Sequence, residues 1–215
     1  MSTLYTGIVA DDMDRIRHRY GADVVCTPLI EVVAVADDML LRQAVASVAT
    51  YDYLLFTSRF AVEAFMGYLD GPQRSALPVT VVSIGPSTTA ALVRHGLKQV
   101  IQTEEDHSYG VVDWFSGQSR GRVLIPRSSK ALSLIPDGLR LLGFEVDVVT
   151  AYENRMPENP SRVDLDAIER IVFTSPSTID HFIRLYGALP RGKTFVTRGP
   201  VTKQHLQTII NTQMI

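Results

Sequence analysis

The tripeptide Phe56-Thr57-Ser58 returns as Phe173-Thr174-Ser175, 117 positions further along the chain. Each copy follows an apolar run, Tyr53-Leu54-Leu55 in the first and Ile171-Val172 in the second. Each precedes a helix-like stretch that closes on a phenylalanine, Phe65 and Phe182, again 117 apart. A second pair comes next. Gly85-Pro86-Ser87-Thr88 with Leu92 matches Gly199-Pro200-Val201-Thr202 with Leu206, now 114 apart, so one loop differs by three residues. One strand-turn-helix design is therefore written twice, with small hydroxyl residues at the same turns. Copies this far apart are two similar domains; the units of a solenoid run to only a few tens of residues.

The 215 residues suit one large or two small domains, and 46% apolar residues are enough for real cores. A net charge of −2 with pI near 6.2 gives no electrostatic footprint for nucleic acid. No apolar run approaches a membrane span. Met1 to Tyr5 has neither the basic stretch nor the apolar core of a signal peptide. A cytoplasmic monomer is the expectation. The single cysteine, Cys26, excludes an internal disulfide and a multi-cysteine zinc site, and within Val24-Val25-Cys26 it reads as an inert buried thiol. The five histidines show no metal-ligand spacing. Glu104-Glu105-Asp106 reads as a solvated loop, and Trp114 as helix packing beside Val111, Val112 and Phe115.

Strands are expected at 4–10, 53–57, 79–84, 99–102, 122–126, 168–174 and 194–197. Helices are expected from Asp11 or Asp12 to Tyr20, and over 37–49, 59–68, 86–95, 109–115, 130–142 and 176–186, with a last one from Pro200. Ser58 and Ser175 are good N-caps, the latter with Pro176 at the first helical position, and Gly21, Gly96 and Gly143 are helix stops. Strands apolar on both faces that alternate with helices indicate parallel sheets covered by helices. The second copy is too short to be a domain by itself, so the N-terminal strand and helix must complete it. The long run Asp23–Val35, broken only by Pro28, is too long for one strand of a small sheet; the chain is expected to cross along Pro28–Val35 and return along the second β-branched run, Glu145–Tyr152, as a two-strand bridge. The expected organisation is a discontinuous α/β domain from 1–28 plus 155–215, a continuous one from 36–147, and linker strands at 29–35 and 148–154. Each domain is a three-layer, flavodoxin-like parallel-sheet body.

The pattern resembles the uroporphyrinogen-III synthase family over most of the chain. The resemblance rests on Pro28-Leu29-Ile30, Tyr51 to Ser58 with Ala61-Val62, Ile84-Gly85-Pro86-Ser87-Thr88 to Gly96, Val123 to Arg127, Leu139 to Val146, Tyr152 within Val149 to Glu153, and Phe173 to Ser177. Each motif is weak alone; their order and spacing are fairly specific. The family has two α/β domains joined by a two-stranded linker, with the discontinuous one built from both chain ends. Two departures stand out. Where the family has a strand ending in Thr-Arg-Pro, this chain has Ala10-Asp11-Asp12. After the second Gly-Pro-x-Thr helix the family continues with a strand and a helix, whereas this chain ends at Ile215. The discontinuous domain is expected to lack that strand and helix, or to have something else in their place.

The resemblance implies cyclisation of hydroxymethylbilane, a linear tetrapyrrole with eight carboxylates, to uroporphyrinogen III. Water leaves ring A to give an azafulvene, and ring D attacks to form a spiro intermediate. Fragmentation and re-closure then invert ring D. No cofactor is needed, and no glycine-rich dinucleotide loop or P-loop is readable. Hydroxymethylbilane synthase would hand over the substrate. In a chain of net charge −2, helix N-termini are the expected carboxylate holders, since their free N–H groups and dipole favour anions. Thr57, Ser58, Gly85, Ser87, Thr88, Ser175, Ser177 and Thr202 lie at strand-to-helix turns, which in open parallel sheets line the crevice at the carboxyl ends of the strands. Facing domains would set these turns around one cleft. The hydroxyls of Ser58 and Ser175 can be caps alone or caps that also touch ligand. Thr88 and Thr202 match positions that the family associates with its active site. Tyr152 matches the family's cleft tyrosine, proposed as proton donor to the leaving hydroxyl, or else it closes the bridge. Arg59, Arg127, Lys130, Arg198 and Lys203 flank the turns and can steer carboxylates or lie solvated.

The enzyme reading competes with two others. A non-catalytic two-domain module for a small anionic ligand would fit the two departures. A phosphate-handling or receiver-type domain would explain the alternation but not the duplication.

Overall fold

Apolar runs bounded by turn residues fold into alternating strands and helices. The computed structural model describes residues 2–8, 13–75, 77 and 79–213. In chain order the elements are β1 (Thr3–Tyr5), α1 (Met13–Tyr20), β2 (Val24–Cys26), β3 (Glu31–Ala34), α2 (Met39–Ala46), β4 (Tyr53–Phe56) and α3 (Arg59–Met66). There follow α4 (Gly71–Ser75), β5 (Thr80–Ser83), α5 (Pro86–Arg94), β6 (Ile101–Gln102), α6 (Ser108–Ser116), β7 (Arg122–Ser128), α7 (Leu134–Leu141) and β8 (Glu145–Arg155). The last are β9 (Arg170–Phe173), α8 (Pro176–Tyr186), β10 (Thr194–Thr197) and α9 (Pro200–Gln213). No described helix is long and apolar enough to cross a membrane.

The chain divides into two compact units, Met1–Glu31 with Arg155–Ile215, and Val32–Asn154. The smaller unit has a parallel sheet in the order β10-β9-β1-β2. The six-stranded sheet runs β3-β8-β7-β4-β5-β6, with parallel pairing from β8 through β6. Within these, β2-β1-β9-β10 and β8-β7-β4-β5 are one arrangement. The duplication is thus permuted: β1 and β2, from the start of the chain, do for β9 what β7 and β8 do for β4. Among the described residues the smaller sheet has no strand beyond β10, where the larger one adds β6 to β5.

The sequence reading differs from the structure at several points. β1 stops at Tyr5, so the turn after it is Thr6-Gly7-Ile8; the expected Asp11 or Asp12 cap and the Ala10-Asp11-Asp12 departure lie outside the described residues. The run 23–35, already broken at Pro28 in the sequence reading, holds two strands. Proline cannot donate to a ladder, and the segment around Pro28 separates β2, in the smaller sheet, from β3, in the larger. α7 begins at Leu134 rather than Lys130, because the Arg127 side chain donates to Leu132 O at 2.9 Å and the Lys130 N–H to Ser128 Oγ at 3.3 Å, closing a loop there. α4 was not expected. Cys26 is half-buried rather than buried, since β2 is an edge strand; partial burial raises its thiol pKa.

Strand alternation sends successive side chains to opposite faces, and both faces are covered. In β4, Leu54 and Phe56 enter one cluster with Ala61, Val62 and Phe65, while Leu55 enters another with Val123, Ile125 and Phe115. In β9, Ile171 and Phe173 join Ile179 and Phe182, while Val172 joins Tyr5 and Ile16. The repeated phenylalanines rebuild the same edge-on pair in each unit. Phe56 and Phe65 lie 5.6 Å apart at 78°, and Phe173 and Phe182 lie 5.4 Å apart at 84°. Each pair pins the helix after the Phe-Thr-Ser turn to its strand, and so fixes the turn. Phe65 and Phe182 are fully buried. Phe182→Ala is expected to lower unfolding free energy by about 3–5 kcal/mol, read from urea denaturation; a loss below about 1 kcal/mol would contradict this role.

Candidate active site

The larger unit places its hydroxyl residues at the carboxyl ends of β4, β5 and β7. Ser58 takes the extended backbone of an N-cap, and its Oγ accepts from the Phe60 N–H at 3.1 Å. The same oxygen accepts the Tyr152 hydroxyl at 3.0 Å. Tyr152 reaches it because of an irregularity. β7 and β8 pair residue for residue until Arg127↔Thr150, and then Ser128 pairs with Tyr152, so β8 carries one extra residue. By simple alternation Tyr152 would face away from Val149 and Ala151. The bulge reverses the parity and brings all three into one cluster. Tyr152 packs its ring against Phe60 at 5.8 Å. Burial raises the Tyr152 phenol above its ordinary value of 10.0, and the bond to Ser58 opposes the rise. Tyr152 is therefore a neutral donor at physiological pH.

Two residues of this site escaped the sequence reading. Asn154 lies two positions beyond Tyr152, on the same side of β8, and its amide nitrogen donates to Ser128 Oγ at 3.2 Å. Its amide oxygen is buried without a partner. One side of β8 thus ties the turn after β4 through Tyr152 and the turn after β7 through Asn154. Spacing from Tyr152 could have found Asn154, but only once the bulge was known. Ser128 carried a readable signal, a hydroxyl at the end of an apolar strand like Ser58.

Other expected residues are placed as follows. Thr57 and Arg59 are half-buried, with the Arg59 guanidinium over the Phe60 ring at 4.9 Å. Gly85 and Thr88 are buried and Ser87 is exposed. Arg127 is turned onto its own loop by its bond to Leu132 O. Lys130 is exposed.

In the smaller unit the same motifs are wired differently. Ser175 stands at the α8 N-cap in a capping box with Thr178, but its Oγ meets the Thr178 N–H only loosely, outside good hydrogen-bond geometry. Thr178 makes the firmer half of that box: its Oγ1 accepts from the N–H of Thr174 at 3.2 Å and of Ser175 at 3.3 Å. Ser177 is half-buried, and Arg198 and Lys203 are exposed. Thr202 is buried and donates to Arg198 O at 3.2 Å. The two Gly-Pro motifs need glycine for different reasons. Gly199 has φ +90°, while a Cβ on Gly85 would come within 2.9 Å of Asp106 Cβ.

The histidines pair rather than cluster. His95 meets Glu63 at 2.6 Å and His205 meets Asp180 at 2.7 Å. Among the described residues no three His, Cys, Asp or Glu side chains group in a way that could hold a metal.

A family model described as uroporphyrinogen-III synthase HemD matches residues 11–209. The chain belongs to the uroporphyrinogen-III synthase family. It is 29% identical over 185 residues to the putative uroporphyrinogen-III synthase of Methanothermobacter thermautotrophicus, covering 78% of this chain and 73% of that protein. It is 28% identical over 207 residues to the uroporphyrinogen-III synthase of Synechococcus elongatus, covering 88% and 78%. Among solved structures, a mutant uroporphyrinogen III synthase from Thermus thermophilus superposes with a TM-score of 0.65 at 17% identity, over 97% of this chain and 88% of that one. The Helicobacter pylori uroporphyrinogen-III synthetase gives 0.64 at 16% identity, over 100% and 89%. These likenesses show the two-domain α/β fold of the family. Nothing in the comparisons favours the non-catalytic module or the receiver-type domain.

The two Phe-Thr-Ser turns make different predictions. Ser58→Ala removes a cap acceptor and is expected to cost about 1 kcal/mol. Ser175→Ala removes only the loose half of the α8 capping box and is expected to cost less than Ser58→Ala. Paired denaturant titrations check this, and equal losses would contradict the assignment.

Proposed function

We propose that this chain closes hydroxymethylbilane to uroporphyrinogen III with inversion of ring D and loss of water, as a cofactor-free hydro-lyase of porphyrin biosynthesis. Family membership supports the reaction. The observation that carries the mechanism is the Tyr152 hydroxyl directed at Ser58 Oγ at the N-terminus of α3. We further propose that the enzyme works as a cytoplasmic monomer supplied by hydroxymethylbilane synthase.

The substrate closes spontaneously to the non-inverted isomer, so the protein must hold and orient it more than activate it. Helix N-termini suit this work: the N–H groups opening α3, α5, α8 and α9 offer donors to carboxylates without formal charge. Thr57, Ser58, Arg59, Gly85, Ser87, Thr88 and Arg127 in the larger unit, and Ser175, Ser177, Arg198 and Thr202 in the smaller, are the proposed substrate contacts.

Tyr152 acts through Ser58. The Ser58 proton passes to the departing ring A hydroxyl, which leaves as water, and the Tyr152 proton replaces it on Ser58. A phenolate remains beside the azafulvene. When ring D re-aromatises, its α-carbon releases the proton that restores the phenol. No external acid or base is consumed.

The reaction is tested by feeding enzymatically generated hydroxymethylbilane and measuring the ratio of uroporphyrin III to I after oxidation; a ratio equal to the protein-free control rejects it. Tyr152→Phe and Ser58→Ala are each expected to lower kcat about 10²-fold. The double variant should be little worse, because the two residues act as one unit. Full additivity would reject the relay. Since burial raises the Tyr152 pKa, the protonated, active form persists from neutral pH to beyond 10. kcat is expected to stay flat from pH 6 to about 9 and to fall only in alkali. A Tyr152-dependent fall centred near neutrality would contradict the neutral-donor role.

A further inference from the structure

The end of β7 is wired as the end of β4 is. Ser128 closes β7, and its Oγ accepts two hydrogen bonds, from the Asn154 amide nitrogen at 3.2 Å and from the Lys130 N–H at 3.3 Å. Ser58 Oγ accepts from the Tyr152 hydroxyl and the Phe60 N–H. In each case one donor is the backbone two residues on, and the other is a side chain from β8. A serine hydroxyl has two lone pairs and one proton. With both lone pairs taken, Ser128 has only its proton left to give, and among the described residues no acceptor takes it. The proton path proposed above uses neither Ser128 nor Asn154.

The rest of the turn holds that hydroxyl in place. The Ser129 N–H donates to Tyr152 O at 3.2 Å, the Ala131 N–H to Ser128 O at 3.1 Å, and the Arg127 side chain to Leu132 O at 2.9 Å. Ser128 is 6% exposed, but Ser129 and Lys130 are exposed, so the strand end meets solvent one residue later. Asn154 is costly where it stands. Its amide oxygen is buried with no partner, a loss that an apolar residue would avoid. Turning the amide over would only leave the nitrogen unpaired instead. Stability alone therefore does not account for Asn154, whose one side-chain hydrogen bond among the described residues is to Ser128.

We propose that Ser128 is a substrate-binding hydroxyl that donates to one carboxylate of the tetrapyrrole, and that Asn154 is the residue that positions it. The proposal rests on the tetrapyrrole reading above. A ligand N–H or O–H finds no lone pair free on Ser128, so the group taken must be an acceptor. Lys130, exposed two positions on, sets a cation beside it, which favours a carboxylate over a neutral carbonyl. Tyr152 and Asn154 lie two residues apart on one strand, about 7 Å, a span that a single tetrapyrrole covers. Ser128 thus holds one side chain of the substrate while the Tyr152–Ser58 pair works on another part of it. Asn154 touches no substrate. Its donated bond occupies a lone pair of Ser128 and keeps the serine proton turned away from β8.

Ser128→Ala removes the hydroxyl. The KM for hydroxymethylbilane and the dissociation constant of uroporphyrin III, a stable octacarboxylate probe read by fluorescence titration, should each rise about tenfold, as expected for a lost hydrogen bond to a charged group. The effect should fall on KM rather than kcat, the reverse of Tyr152→Phe. Asn154→Ala should raise both as well, and adding it to Ser128→Ala should change neither further, because it acts only through that hydroxyl. Each variant is measured where circular dichroism shows it folded. An unchanged uroporphyrin dissociation constant in Ser128→Ala would overturn the proposal, whatever the turnover. A fall in kcat at constant KM would also overturn it, in favour of a chemical role. Unchanged or tighter binding in Asn154→Ala would mean that the amide oxygen takes the serine proton, and would overturn the positioning role. Additive losses would do the same, since a merely structural Asn154 weakens the site with or without the hydroxyl. If the wild type makes no excess of the III isomer yet Ser128→Ala still weakens uroporphyrin binding, the reaction fails and the subsite stands.

Discussion

β4 and β9 are buried on both faces, and that burial governs where this protein can do chemistry. Leu54 and Phe56 look one way and Leu55 the other; Ile171 and Phe173 look one way and Val172 the other. Neither face has room for a ligand. Only the strand ends remain, and there the chain turns through Thr-Ser into a helix whose first N–H groups lack partners. The edge-on pairs Phe56–Phe65 and Phe173–Phe182 hold each helix against its strand. The position of these free N–H groups follows from the packing of two phenylalanines in each unit.

Much of this was legible in the sequence, because it rests on local signals. The Phe-Thr-Ser and Gly-Pro-x-Thr motifs report a strand end, a cap and a helix start within ten residues, and both copies fold as those signals indicate. The completion of the second copy by the N-terminal strand was legible too, since a lone strand-turn-helix pair cannot bury its own faces. Strand limits were less so. β1 stops at Tyr5 although Ile8 and Val9 continue the apolar character, and Pro28 divides one β-branched run between two sheets. Apolar composition says that a segment can be a strand; only pairing partners say where it stops.

The register of β8 was not legible at all. Alternation along Val149-Thr150-Ala151-Tyr152 assigns Tyr152 to the face opposite Val149, and on that reading it could never meet Ser58. One extra residue in the ladder corrects the parity. A bulge depends on how two strands are matched across the sheet, which neither strand records by itself. The residue proposed to carry the chemistry is thus the one whose orientation the local pattern gets wrong. The same bulge gives Asn154 its reach to Ser128, so a single irregularity arms two turns.

The two copies have kept their architecture while their hydroxyl groups have diverged. Ser58 accepts two hydrogen bonds and is held by Tyr152; Ser175 keeps only a loose half of a capping box, whose firmer half is made by Thr178. A saturated oxygen with one proton to give is suited to relaying that proton. An octacarboxylate presents both demands to a chain of net charge −2: many anions to be held and one hydroxyl to be expelled. Duplication supplies the holding geometry twice. Under the proposed reaction, the Tyr152–Ser58 contact would give one copy the expulsion of the hydroxyl while both copies hold carboxylates.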